Sequence, residues 1–188
     1  MVIVSTMVLL TLALISCVTG PMSKSEKEQK QDAIREMAKA TLSQVYAKYP
    51  RAKEGLEKAA GYAVFSDFGM KIMFMGGAKG SGVAVDNATK KETFMKMVEL
   101  QPGFGVGAEI FRVVFVFETP KAFNTFVTSG WEVGANAMAA AKAKSMGGGE
   151  SGAVTLSAGA KIYQLNEEGL IVGVSITGAK YYRDGELN

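Results

Sequence analysis

The stretch from Gly61 to Val85, GYAVFSDFGMKIMFMGGAKGSGVAV, constrains the fold more than any other part of the chain. It is apolar enough to be buried, yet glycine recurs in it at Gly76, Gly77, Gly80 and Gly82. Glycine inside a strand packs nothing and costs backbone entropy, so it needs a reason: a bulge, a sharp bend, or close approach of another backbone or a ligand. Tyr62 to Phe65 is a short apolar run, and Ser66 to Gly69 reads as a turn. Met70 to Met75 is interrupted only by Lys71, and Val83 to Val85 closes the stretch. The glycines therefore either cradle a phosphate or let strands curve and pack closely.

The phosphate reading fails on spacing. Gly76-Gly77-Ala78-Lys79-Gly80-Ser81-Gly82 lacks the Gly-Lys-Ser/Thr ending and the following helix of a phosphate loop. Gly103 to Gly107 has neither dinucleotide spacing nor a downstream helix. The architectural reading fits the neighbouring segments. Residues 61–118 read as antiparallel sheet, with strands near 62–65, 71–85, 92–100, 104–110 and 112–118. Asp86 to Lys91 reads as a hairpin connection and Pro102-Gly103 as a second turn. Val113 to Phe117 is continuously apolar, the pattern of a strand buried on both faces.

After residue 118 the period changes. Thr119 can cap a helix that has Pro120 at its first position. Ala122, Phe123, Phe126 and Val127 form its apolar stripe, and Gly130 lies just past its end. Trp131 leads into another short run. Alanine-rich Asn136 to Lys144 reads as a helix or a tightly packed strand, the strand being preferred; Gly147 to Gly149 reads as a loop, and Val154 to Leu165 and Leu170 to Thr177 as two more strands joined by Asn166 to Gly169. The expected fold class is α+β. It is a single domain with a strongly curved, mainly antiparallel glycine-rich sheet, barrel- or sandwich-like, plus an N-terminal amphipathic helix and one or two further helices.

Upstream, Ile34, Met37, Ala38, Leu42, Val45, Tyr46 and Tyr49 fall on one helical face, and Pro50 ends it. A short second helix spans about Ala52 to Ala59. Met22 to Asp32 has no apolar residue after Met22, so it is either a solvated tether or a helical extension. Lys24, Lys27, Lys30, Arg35 and Lys39 precede or flank the apolar face. Two readings stay open here: a core-packed helix with a charged lead-in, or a basic amphipathic segment lying on an anionic membrane. Each basic residue near such a surface is worth roughly 1 kcal/mol, and Glu26, Glu28, Asp32 and Glu36 offset much of it.

Val2 to Ile15 fits the apolar region of a secretory signal and is short for a bilayer span. Leu14-Ile15-Ser16-Cys17 resembles a bacterial lipobox, in which the cysteine is acylated and becomes the first residue; the plainer reading is an ordinary cleaved signal with an incidental cysteine. Met1 to Thr6 lacks the usual Lys or Arg. Val18 after the cysteine, rather than Asp, resembles enteric lipoproteins of the outer membrane. The expected organisation is a signal at 1–16, an anchored polar tether at 17–33 and the domain at 34–188, facing the periplasm.

Composition narrows the chemistry. The net charge of +3 is too small to mark a nucleic-acid binder. Residues 21–100 hold 14 Lys and Arg against 10 Asp and Glu, so attraction to an anionic surface belongs to the first half. With no histidine, the commonest general base and metal ligand is missing. One cysteine allows neither an internal disulfide nor a thiolate cluster. No nucleophile-elbow Gly-x-Ser-x-Gly is present. The expectation is a protein without enzymatic activity, cofactor or metal.

Several blocks in order resemble the SYLF domain family: Gly61 to Phe65, Gly76 to Val83, Gly103 to Ala108, Gly130 to Ala135, Gly169 to Ser175 and Gly178 to Tyr182. The resemblance covers about Leu56 to Tyr182. It departs at Met70 to Met75, where the family has small residues. It implies a phospholipid-binding module, secreted or lipid-anchored in bacteria. Eukaryotic members place a basic membrane-binding helix before the domain, where Lys24 to Lys39 stands here. Their actin-related segments have no counterpart in this chain. On this reading Lys24, Lys27, Lys30, Arg35, Lys39, Lys71, Lys79, Lys90 and Lys91 meet headgroups of an anionic lipid, while Met73, Phe74, Met75 and Trp131 meet acyl chains. Each also has a plainer reading, as solvated lysines and core aromatics. The alternative function is a scaffolding envelope protein that binds a protein partner, with acylated Cys17 supplying all membrane attachment.

Overall fold

Helix begins ten residues before the apolar stripe does. The structure, a computed structural model, describes residues 22–134, 153–156, 159–166, 169–170 and 178–188. Helix α1 spans Lys24–Lys48. Ser23 caps it in a reciprocal box: the Glu26 amide donates to Ser23 Oγ at 3.2 Å, and the Ser23 amide donates to Glu26 Oε2 at 2.9 Å. The polar lead-in is therefore helical, and it is docked. Gln31 Nε2 donates to the Leu187 carbonyl at 2.7 Å, and Lys27 Nζ donates to the main-chain oxygen of Asn188 at 3.0 Å. The Tyr49 amide bonds back to Val45, and Pro50, which cannot extend α1, opens α2 (Pro50–Lys58).

Two long strands come next. Strand β1 runs Gly61–Asp86 and β2 runs Glu92–Phe117, each of 26 residues, paired antiparallel along their length. This corrects the sequence expectation of five separate strands over 62–118. Ser66 to Gly69 is no turn, because it pairs with Glu109 to Arg112. Pro102-Gly103 is no turn either. Met73 pairs with Gly105 and Met75 with Pro102, so a bulge on β2 takes up the missing donor of proline. The predicted connection at Asp86 to Lys91 is correct. It holds a turn in which the Thr89 amide donates to Asp86 Oδ1 at 2.7 Å.

Helix α3 (Pro120–Ser129) is capped by Thr119, whose Oγ1 accepts from the Ala122 amide, and it ends at Gly130 with φ 73°, as expected. Strands β3 (Trp131–Gly134), β4 (Val154–Leu156), β5 (Ala160–Asn166), β6 (Gly169–Leu170) and β7 (Gly178–Arg183) complete the sheet among the described residues. Val154 to Leu165 is a hairpin rather than one strand: Leu156 pairs with Ala160, and Gly159 takes a φ of 74°. The sheet order is β3-β7-β2-β5-β4, with β1 on β2 and β6 on β5. β7 pairs with Met95 to Glu99 of β2, and β5 pairs with Arg112 to Phe117. The result is an antiparallel, curled half-barrel in one α+β domain. Asn136 to Lys144, Gly147 to Gly149 and most of Leu170 to Thr177 lie outside the described residues.

Curling brings the two ends of β1 together. A Cβ on Gly82 would collide with the Val64 carbonyl oxygen and the Phe65 ring. One on Gly61 would lie 2.7 Å from the Val85 carbonyl oxygen and 2.5 Å from the Phe123 ring. These two glycines let one arm of the β1–β2 ribbon cross the other. The ribbon then separates two cores. Ala63, Phe65, Ala84, Met95, Met97, Val113, Phe115 and Phe117 face α3 and β7, where Phe123, Phe126 and Tyr181 fill the interior. Val64, Val83, Phe94, Val114 and Val116 face α1 and α2, against Ile34, Ala38, Val45, Ala52 and Leu56. Alternation along Val113 to Phe117 thus feeds both cores, as the continuous apolar run predicts.

Candidate functional site

The first group of predicted site residues lies on α1. Its apolar face is committed to the sheet, since Ile34, Ala38 and Val45 are buried. What α1 offers to solvent is charge. Lys24, Lys30 and Lys39 are exposed, with Lys24 3.9 Å from Glu28. Lys27 is half-buried on its bond to Asn188. Arg35 acts as a clamp. Its Nη2 lies 2.8 Å from Glu92 Oε2, its Nη1 lies 2.7 Å from Asp32 Oδ1, and its guanidinium sits 5.2 Å over the Phe94 ring. The bond to Glu92 is the main cause of its raised pKa. Lys39 stands at a groove between α1 and β1, which Leu42, Tyr46, Tyr62 and Val83 also line.

Downstream of Pro50 the basic surface continues. Residues 37–53 carry Lys39, Lys48, Arg51 and Lys53 and no acidic residue, and all four are exposed. Lys90 and Lys91 are exposed on the β1–β2 connection, Lys90 with a φ of 60°. Trp131 is half-buried in the aromatic core, its ring 6.1 Å from Phe115 and from Phe117 and 6.0 Å from Phe126. The backbones of Lys71 and Phe74 lie in β1. Their side chains, and Cys17, lie outside what the structure describes.

Lys79 belongs to a different recess. An open cleft of about 640 Å³ lies between the arms of the ribbon, lined by Ser66 and Ile110 of one arm and by Lys79, Ser81, Lys96 and Val98 of the other, with Tyr182 of β7. Sheet register explains this. Ser81 pairs with Lys96, which pairs with Tyr182; in the next row Lys79 pairs with Val98, which pairs with Lys180. Lys96 Nζ is held 3.2 Å from Asp184 Oδ1 and 3.3 Å from Glu186 Oε2. Burial works against its charge, but the hydrogen bonds it donates to these two carboxylates win, and its pKa is raised. Sequence reading found Lys79 but missed Lys96, Ser81 and Tyr182. Their only signal is the pairing of β2 with β7, two segments about 85 positions apart.

Among the described residues, no group of three or more His, Cys, Asp or Glu could hold a metal. No described helix is long and apolar enough to cross a membrane.

Comparison with known proteins bears on this arrangement. Residues 98–188 match the family model Ysc84, described as Las17-binding protein actin regulator, the SYLF domain. Over residues 98–188 this chain is similar to the SYLF family. Beta cell expansion factor A of Aeromonas veronii is 36% identical to it over 157 residues, or 82% of this chain. The chain spans 58% of the length of that relative. The family match begins inside β2 and takes in the paired partners Lys180 and Tyr182 of the cleft. The relative's aligned length, greater than the family match, reaches beyond it into the N-terminal part of the chain.

Proposed function

We propose that this protein is a non-enzymatic envelope protein, anchored through acylated Cys17 and facing the periplasm from the outer membrane, whose SYLF domain binds anionic phospholipid. Similarity to this family supports a binding role related to lipid or actin. The observation that carries the lipid reading is the exposed basic surface of α1 and α2, with four basic and no acidic residue over 37–53. A bilayer rich in anionic headgroups attracts such a surface by about 1 kcal/mol per basic residue near it. Because the apolar stripe of α1 is buried, the contact is adsorption of a folded face rather than insertion of the helix. The test is flotation of residues 17–188, carrying Cys17→Ser, with vesicles of phosphatidylglycerol and phosphatidylcholine.

The family description favours a second reading, because Las17 binding is recognition of a protein. There the acyl chains supply all membrane attachment and the domain is a scaffold. A domain that ignores anionic vesicles at low salt, yet retains a protein when pulled from its own envelope, supports that reading against the first.

A further inference from the structure

We infer that the cleft between the arms of the β1–β2 ribbon is a binding site for the phosphate of a single amphiphile, with Lys79 and Lys96 as its cationic ligands. The inference rests on the phospholipid reading and locates a headgroup within it. Three observations converge.

First, the cleft has the size of a ligand site. Its volume of about 640 Å³ falls within the range of roughly 300–1,000 Å³ for small-molecule pockets. It exists because the ribbon crosses itself at Gly82 and its arms part beyond the crossing. Ser66 stands just past that point on one arm and Ser81 on the other.

Second, the register puts complementary groups side by side. Lys79 and Lys96 are diagonal neighbours on adjacent strands, a spacing of about 7–8 Å at the backbone that two long side chains close easily. Ser81 and Tyr182 flank Lys96 in its row, so two hydroxyl donors accompany two ammonium groups. Ammonium and hydroxyl donors together are what a phosphodiester accepts.

Third, the charges are unequally committed. Lys96 is positioned by Asp184 and Glu186, with Asp184 itself buried and accepting from the Glu186 amide at 2.9 Å. Lys79 is exposed and has no ion-pair partner among the described residues. One ion-paired cation and one exposed cation line the same space. Half-buried Val98 and Ile110 supply the apolar remainder of the lining, which suits the first carbons of an acyl chain rather than a free ion.

The test uses residues 17–188 with Cys17→Ser and dihexanoyl-phosphatidylglycerol below its micelle concentration, followed by backbone amide NMR. The expected result is saturable shifts at Lys79 to Ser81 and Lys96 to Val98. Lys79→Ala, at an exposed position that leaves the fold intact, should weaken binding about tenfold, the loss of one charge-assisted hydrogen bond. Ser81→Ala should weaken it less. Inorganic phosphate should compete only weakly. Phosphate binding as tight as that of the lipid would overturn the amphiphile assignment. Shifts confined to α1, or a Lys79→Ala titration identical to the parent, would overturn the site. If vesicles float the protein while these shifts are absent, surface adsorption stands and the cleft falls. If the cleft titrates while vesicles leave the protein behind, adsorption falls and the site stands.

Discussion

Single glycines decide whether the ribbon can close. At Gly82 an added methyl would meet the Val64 carbonyl and the Phe65 ring, and a backbone oxygen has nowhere to go. Overpacking of this kind costs about 1–3 kcal/mol, and more where backbone must move. Gly82→Ala should therefore lose about 3 kcal/mol in a urea melt. Gly55 makes the opposite case: it lies inside α2, and a Cβ there would meet nothing within 4 Å. Gly55→Ala should stabilise the protein by about 0.5–1 kcal/mol, the ordinary gain on replacing a helical glycine. Equal effects of the two substitutions would mean that Gly82 is not the crossing point. Sequence alone identified glycines in this stretch that demanded an architectural reason. It did not say which ones sit at the crossing, because that depends on where β1 meets itself some 20 residues away.

The elements owe their ends to local chemistry and their course to tertiary packing. Capping signals were legible: Thr119-Pro120 and Gly130 bound α3 as expected. Ser23 with Glu26 is the same kind of signal, and reading Met22 to Asp32 by hydrophobicity alone passed over it. Ser23→Ala should cost about 1 kcal/mol. The Ser23 hydroxyl and amide hold the Glu26 carboxyl below its usual range, and the Thr89 amide does the same for Asp86. A depressed carboxylate stabilises the fold above its unfolded value and loses that contribution as pH falls through the folded one. Stability should thus decline as pH drops below about 4.3, and less steeply in Ser23→Ala. A melting temperature that rises below that point would contradict this. Ser66 to Gly69 and Pro102-Gly103 misled the reading in the other direction. Their composition is that of turns, but Ser66 to Gly69 is paired along its length, and Pro102 is paired with Met75 beside a bulge on β2 that takes in Gly103. Pairing partners hold them extended, and composition carries no record of partners.

At the scale of the molecule, one curled sheet serves two cores, and each is closed by helices the sequence placed correctly. Tyr46, Tyr62 and Tyr163 sit at the α1–α2 side, and burial raises all three phenols above their usual value. Groups with raised values stabilise the fold below their unfolded pKa and stop doing so as pH climbs through the folded one. Absorbance at 295 nm should accordingly show these phenols ionising later than free tyrosine, above about pH 10. Early, reversible ionisation would place them in solvent. The α1 lysines and Lys79 were legible as cations, but only the fold separates their roles. Lys27 and Arg35 bind the molecule to itself, while Lys30 and Lys39 remain on the surface and Lys79 faces the cleft. The proposed function rests above all on this folded surface binding anionic phospholipid. Flotation of residues 17–188 carrying Cys17→Ser tests that most directly. The protein should rise with phosphatidylglycerol vesicles in about 0.05 M salt and stay behind with phosphatidylcholine alone. It should be released as salt approaches about 1 M, where the screening length falls to about 3 Å. Protein left at the bottom of the gradient with phosphatidylglycerol vesicles at low salt would contradict the proposal.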